Sequence, residues 1–575
     1  MRSKYGTVFL FMCAATCNAF VMPAQASTTF TGADFAWPNS PGVGHLGLYI
    51  EDDISHTRLM STVRTQTGQL CTTLDDSACA NQSVRTYSIL PRCETDAQKD
   101  CVESLGATTS QGAVSEGAFS RYFPESGLAD FEGSPGRNIP TGAAPSIFTL
   151  PGVPHNDGNE YMVIASVNGV APVDGVQTPS TITIHASVYP VKVLAGNFKR
   201  NSPLENSFGV SHGSSDKWGN CASIADGYCA ARQDFPASTK FSLSLRLSTA
   251  PKGWLHGRIF SPTVTYESAG TSTRLKVDAT PVHVAAVATW GKYSELPEAA
   301  KNTAGALSCS ETSNCPQMNP QSGGAHTSVE AWRAVYGDKA SWVRGQWMYQ
   351  TLSEYELVGS SLATCTSGPA RFEGFITTNA TGYAAGPPVF DPVGKTLSYV
   401  VAAPHTNAEG GLIVGTYDLM MRSDLAACLY GGNVSDIVAS VAVVYDNATS
   451  TTTEVKTDVT NDGTWFKVSA SGFHYSMPTI KTTLASKSGA LPSVNSAPSI
   501  IKKSVSARAL ATRAQLVVSR GDVVSLRVSK AWTKKCTVVR QTLRITKTGT
   551  CRVTVRVETR KQKPRFRTMT LQVVK

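Results

Sequence analysis

Phe241-Ser242-Leu243-Ser244-Leu245-Arg246-Leu247 alternates apolar and polar residues without a break. A strand turns successive side chains to opposite faces, so this alternation marks a half-buried β-strand. The pattern recurs on both sides. Upstream, Ile182, Ile184 and Ala186 alternate with Thr181, Thr183 and His185, and Val188 extends the apolar row. Downstream, Leu275, Val277 and the run 282–287 continue it, and further strands are expected at 397–401, 412–417 and 438–445. Segments 454–459 and 464–470 flank Thr460-Asn461-Asp462-Gly463, a turn in which glycine supplies positive φ. Residues 291–345 break the pattern. Thr327 and Ser328 followed by Glu330 read as a helix start, Val329 to Tyr336 as a short helix and Gly337 as its stop. The expected fold is mainly β: a multidomain β-sandwich architecture with a small helical insertion near 291–345.

The chain has 575 residues, which sets an expectation of two to four domains. Charged residues make up 16%, against about 25% in a typical soluble domain. Long helical periodicity is scarce. These features exclude a coiled coil, a helical repeat array and a charge-rich disordered chain. Arg2 and Lys4, a mostly apolar run over 8–20, and Ala24-Gln25-Ala26 before Ser27 read as a signal peptide over 1–26. Nothing after it approaches the roughly 18 apolar residues of a membrane span. The chain then divides into an irregular β-rich region (27–195), a β-sandwich region holding the insertion (196–484), a Ser/Pro/Ala-rich linker (485–500) and a basic β domain (501–575). A secreted or cell-surface location is expected.

Setting aside Cys13 and Cys17 in the leader, twelve of the fourteen cysteines remain. An even count in an exported chain favours disulfides. Cys71/Cys79, Cys93/Cys101 and Cys221/Cys229 each enclose seven residues. Cys309/Cys315 is a similar short loop and Cys536/Cys551 a longer one, which leaves Cys365 and Cys428 for a long-range pair. This is the simplest of many connectivities. There is no C-x-x-C, and no metal or other cofactor is expected.

The net charge of +10 hides a division. Residues 502–575 carry 20 Lys+Arg and 2 Asp+Glu, a net of +18, while the body without its leader is −10. Such segregation points to an anionic partner. Lys534-Lys535 and Arg560-Lys561-Gln562-Lys563-Pro564-Arg565-Phe566-Arg567 are the candidate contact runs. Export disfavours nucleic acid, so an anionic envelope polymer or another acidic surface is the expected partner, and a solvated basic face or docking on the chain's own acidic body is the alternative.

Two segments carry a resemblance. Gly415-Thr416-Tyr417-Asp418-Leu419 through Arg422-Ser423-Asp424 to Cys428-Leu429-Tyr430-Gly431 is one, with Thr377-Thr378-Asn379-Ala380 before it and Gly472-Phe473-His474-Tyr475-Ser476 after it. It resembles secreted actinobacterial proteins of unassigned function. The other, Lys547-Thr548-Gly549-Thr550-Cys551-Arg552-Val553-Thr554-Val555, is similar to a bacterial immunoglobulin-like domain. The resemblance implies export and β architecture, and it supplies no catalytic residues.

Three further motifs have the outline of functional sites. Gly209-Val210-Ser211-His212-Gly213 matches G-x-S-x-G, but Asn206-Ser207-Phe208 is a poor buried strand and 214–219 a poor helix start, where a nucleophile elbow requires both. Glu51-Asp52-Asp53 lacks the spaced ligands of a calcium loop. Trp342, Trp347 and Tyr349 form either a sugar-stacking platform or part of a core. The resulting expectation is a non-catalytic, envelope-associated binding or structural protein. The alternative is a secreted hydrolase with a C-terminal targeting module.

Overall fold

The computed structural model describes residues 41–573, apart from 51–61, 126–130, 173–181, 199–220, 319–324, 353–371 (Cys365 excepted), 431–436, 446–452, 487–503, 511–522, 529–535, 559–564 and shorter breaks. The expected signal peptide and most of the linker lie outside the described residues.

The alternating segment forms the strand Lys240–Leu247, and its four apolar residues are at most 1% exposed. It lies between the antiparallel strands Cys101–Thr108 and Ser272–Lys292. Leu243 faces Leu105 on one side and Val277 on the other, so three strands contribute one continuous apolar row.

Two long strands, Gly253–Ala269 and Ser272–Lys292, form the spine of the body. They pair as an antiparallel hairpin from Ala269 opposite Ser272 back to Ile259 opposite Pro281. Each outruns this pairing and joins other strands. The start of the first lies between Met348–Thr351 and Phe372–Thr378. The end of the second pairs with Trp342–Gln346 and then with His45–Ile50, which also pairs in parallel with Cys315–Met318. Strands before and after residue 195 therefore belong to one hydrogen-bonded network. Phe372–Thr378 continues it through Val414–Arg422, Trp465–His474 and Lys456–Asn461. The fold is mainly β, with apolar cores between sheets.

One strand departs from expectation. The alternation over 181–188 predicts a half-buried strand, yet in Thr183–Ala195 residues 184 to 191 are all buried, His185 and Ser187 included. It runs between Glu160–Ala171 and Met348–Thr351, and both of its faces are covered.

The helical insertion is present as α1 (Glu298–Ala304) and α2 (Ala325–Tyr336). In α2, Ala325, Val329 and Trp332 recur at helical spacing and pack on Leu46 and Leu48. The helix begins before Thr327, and Gly337 (φ 76) ends it in the left-handed conformation that suits glycine. A further helix, α3 (Ser423–Tyr430), was not anticipated. It follows directly on Val414–Arg422, buries Leu425, Ala426 and Leu429, and has its end capped by Lys395 Nζ donating to Leu429 O.

Residues 504–573 contain two three-stranded sheets. One has Thr542–Ile545 between Ser504–Ser506 and Cys536–Val539, and the other has Gly549–Glu558 between Val523–Val528 and Arg565–Val573. Each buries one face, through Cys536 and Leu543 in the first and Val524, Val553, Val555 and Val557 in the second.

Disulfides join Cys71–Cys79, Cys93–Cys101, Cys221–Cys229 and Cys365–Cys428. Cys315 and Cys536 are also disulfide-bonded. Cys309 lies outside the described residues, and Cys551 lies in the strand Gly549–Glu558.

Candidate functional site

Alternation along Gly549–Glu558 sets the faces of the second C-terminal sheet. Val553, Val555 and Val557 are buried, and Arg556 is exposed between them. Across the ladder, Ser525 stands opposite Arg556, and the exposed Arg527 stands opposite Thr554. In the first sheet, Arg544 is exposed, opposite Thr537 and Ser504. Arg540 and Gln541 form the two-residue turn between Cys536–Val539 and Thr542–Ile545, both at positive φ (47 and 60). Among the described side chains of this unit, the basic ones are Arg508, Arg527, Arg540, Arg544 and Arg556, and all five are exposed. Glu558 is within 2.8 Å of Arg556.

Of the contact residues expected from sequence, Lys534, Lys535, Arg560, Lys561 and Lys563 lie outside the described residues. Arg565 and Arg567 begin the edge strand Arg565–Val573, opposite Val557 and Val555. Their side chains lie outside the described residues. Charge runs stand out in the sequence, whereas the arginines interleaved with valine form no run. The alternation itself was the available signal.

The other candidates resolve differently. Ser211 and Glu51-Asp52-Asp53 lie outside the described residues. Trp347 and Tyr349 are fully buried, and the Trp347 indole N–H donates to Ala279 O at 2.9 Å, which puts both beyond a ligand's reach. Trp342 is half-buried and sits 5.9 Å from the Tyr49 ring. An open groove of about 520 Å³ is edged by Thr108, Ser238, Lys240, Thr263, Asp278 and Thr280, a hydroxyl-rich rim without a histidine. Among the described residues, no group of three or more His, Cys, Asp or Glu is placed to hold a metal ion.

The three segments quoted for the resemblance meet in the interior. Asn379 Nδ2 donates to Val414 O at 2.9 Å and His283 O at 3.3 Å, while its Oδ1 accepts from Thr416 N at 2.8 Å and from the Tyr475 hydroxyl. Beside it, the buried Arg258 donates to the carbonyls of Thr378, Ala380 and Thr381. Asp418, fully buried, accepts from Thr377 Oγ1 and Ser261 N, each at 2.7 Å, and from Ser469 Oγ. Burial raises the Asp418 carboxyl above its usual range despite Lys467 nearby. These bonds satisfy buried polar groups and cross-brace the strands.

Two constellations have the outline of catalytic machinery. Lys467 Nζ lies 3.1 Å from Ser261 Oγ, burial pushes its ammonium pKa down, and Ser261 has positive φ (51) in a β-bulge. The Ser261 N–H, which an oxyanion would need, is bonded to Asp418, and Lys467 also donates to Pro262 O at 3.0 Å. The set pins the bulge. Asp338 accepts from His405 N at 2.9 Å, contacts His405 Nδ1, and pairs with Arg333 at 2.8 Å, while Arg333 also reaches Glu330. The Thr406 hydroxyl donates to Asp338 O at 2.8 Å. This cluster clasps α2 to the segment around His405. The strongest surface feature is therefore the exposed arginine set of the C-terminal unit. No family model, curated protein or solved structure matches the chain.

Proposed function

We propose that the protein is an exported cell-envelope component that acts by binding, and that its basic C-terminal unit attaches it to an anionic surface. The observation that carries this reading is charge segregation: residues 502–575 hold a net +18, and every described arginine side chain among them is exposed. The two small sheets are in keeping with an immunoglobulin-like module. Exposed charges are screened beyond about 8 Å at physiological salt, so attachment weakens steeply as salt rises. The test compares the full chain with one ending at Ile500 on isolated envelopes at low and high salt. Retention of the full chain alone, lost at high salt, is the expected result. Equal retention of the two forms rejects the reading.

A further inference from the structure

We propose that the partner is a flexible, linear polyanion that bends around the C-terminal unit, rather than a planar bilayer surface. This rests on the attachment reading above and specifies the partner's form. Each C-terminal sheet has one buried face. The strands Val523–Val528 and Cys536–Val539, one from each sheet, lie in contact, and layers in contact turn their apolar faces together, so the exposed faces look apart. Arg544 lies on one exposed face, and Arg527 and Arg556 lie on the other. Arg540 is exposed at a hairpin end. The described basic positions therefore lie on both exposed faces and at the hairpin end.

A plane can touch one of these sides at a time. Packed sheets stand about 10 Å apart, so arginines on the far side lie beyond a screening length of about 8 Å. A chain-like polyanion can follow both faces and the hairpin end together. Arginine suits phosphate or carboxylate groups strung along such a chain, because its planar fork makes paired hydrogen bonds to either. The hairpin adds an independent observation. Its two central residues have positive φ, a geometry that favours Asn-Gly, yet Arg540 and Gln541 occupy it. Backbone strain held at an exposed basic tip is typical of a contact position.

The test uses the full-length chain with long-chain polyphosphate and, separately, phosphatidylglycerol vesicles. Arg544→Thr alters one face, and the Arg527→Thr/Arg556→Thr pair alters the other. Each arginine removed should lower polyphosphate affinity about fivefold at physiological salt. Effects from the two faces should multiply, and the salt dependence should become shallower with each loss. Vesicle binding should be weaker and respond to one face only. If one face alone governs polyphosphate binding, and vesicles bind as tightly, the partner is a planar surface and the proposal fails. It also fails if isolated envelopes retain the protein in a salt-sensitive way while polyphosphate binding ignores both sets of variants, although attachment itself then stands. If polyphosphate, vesicles and envelopes all fail to retain the wild-type chain, the attachment reading falls as well.

Discussion

His256 illustrates how a single side chain sets the conditions under which the fold holds. It is fully buried and stacked on Tyr383, with ring centroids 3.5 Å apart, and Arg258 lies over the same tyrosine ring. Neither of its ring nitrogens has a hydrogen-bond partner among the described residues. Burial, and then the charge of Arg258, hold its pKa well below the ordinary histidine value. The unfolded chain takes up a proton below about pH 6.5 while the folded chain does not. Its contribution to stability is thus complete above about pH 6.5 and is lost as pH falls below it. His155, shifted down mainly by burial, acts in the same direction. His256→Phe keeps the stack and removes the titrating group. Denaturation stabilities of wild type and variant should diverge below pH 6.5 by up to about 1.4 kcal/mol per pH unit. Parallel pH profiles would show that the buried imidazole accepts a proton in the folded state.

Secondary-structure elements were legible where one face is covered and the other is open. Lys240–Leu247 announces itself because burial of one face leaves an alternating record. Thr183–Ala195 lies between other strands with both faces covered, so His185 and Ser187 kept a polar look while losing contact with water. The helix α3 is eight residues long and follows a strand directly, too short for periodicity to stand out. The seating of α2 depends on close backbone approach, which no pattern encodes. A Cβ on Gly382 would come within 2.5 Å of His326 N and 2.6 Å of Ala325 C, at the start of α2. Gly382→Ala should therefore cost about 1–3 kcal/mol by forcing the helix away from its strand. Gly136→Ala is the control, because nothing lies within 4 Å of its added carbon. Chemical denaturation of both variants measures the difference, and equal stabilities would mean that the helix start yields without strain.

Across the whole molecule, the charge division was plain in composition, but the outward-facing arginines emerged only once strand register was known. Disulfide bonding was likewise legible from cysteine number and spacing, whereas the buried network around Asn379 joins residues that no local window connects. Cys365–Cys428, with a sequence separation of 63, closes a far longer loop than Cys93–Cys101, with a separation of 8. On loop entropy alone, replacing Cys365 and Cys428 with alanine should cost about 4 kcal/mol, against about 2.5 kcal/mol for Cys93 and Cys101. Thermal and denaturant unfolding of the two double variants measures this, and equal losses would place the stabilisation in the native contacts instead.

The strand His45–Ile50 must wait for partners that lie more than 230 residues further along the chain. His45 stands opposite Lys292, and Leu46 stands beside Cys315, with no local turn to bring them together. Joining such distant segments carries a closure entropy that local hairpins avoid. Chains dominated by pairings of this kind fold in milliseconds to seconds. Throughout that interval the end of Ser272–Lys292 is an open template, able to accept the equivalent strand from a sister chain. The protein's exposure to misassembly is therefore concentrated in its own maturation, where this early strand must return before a neighbour's copy takes its place.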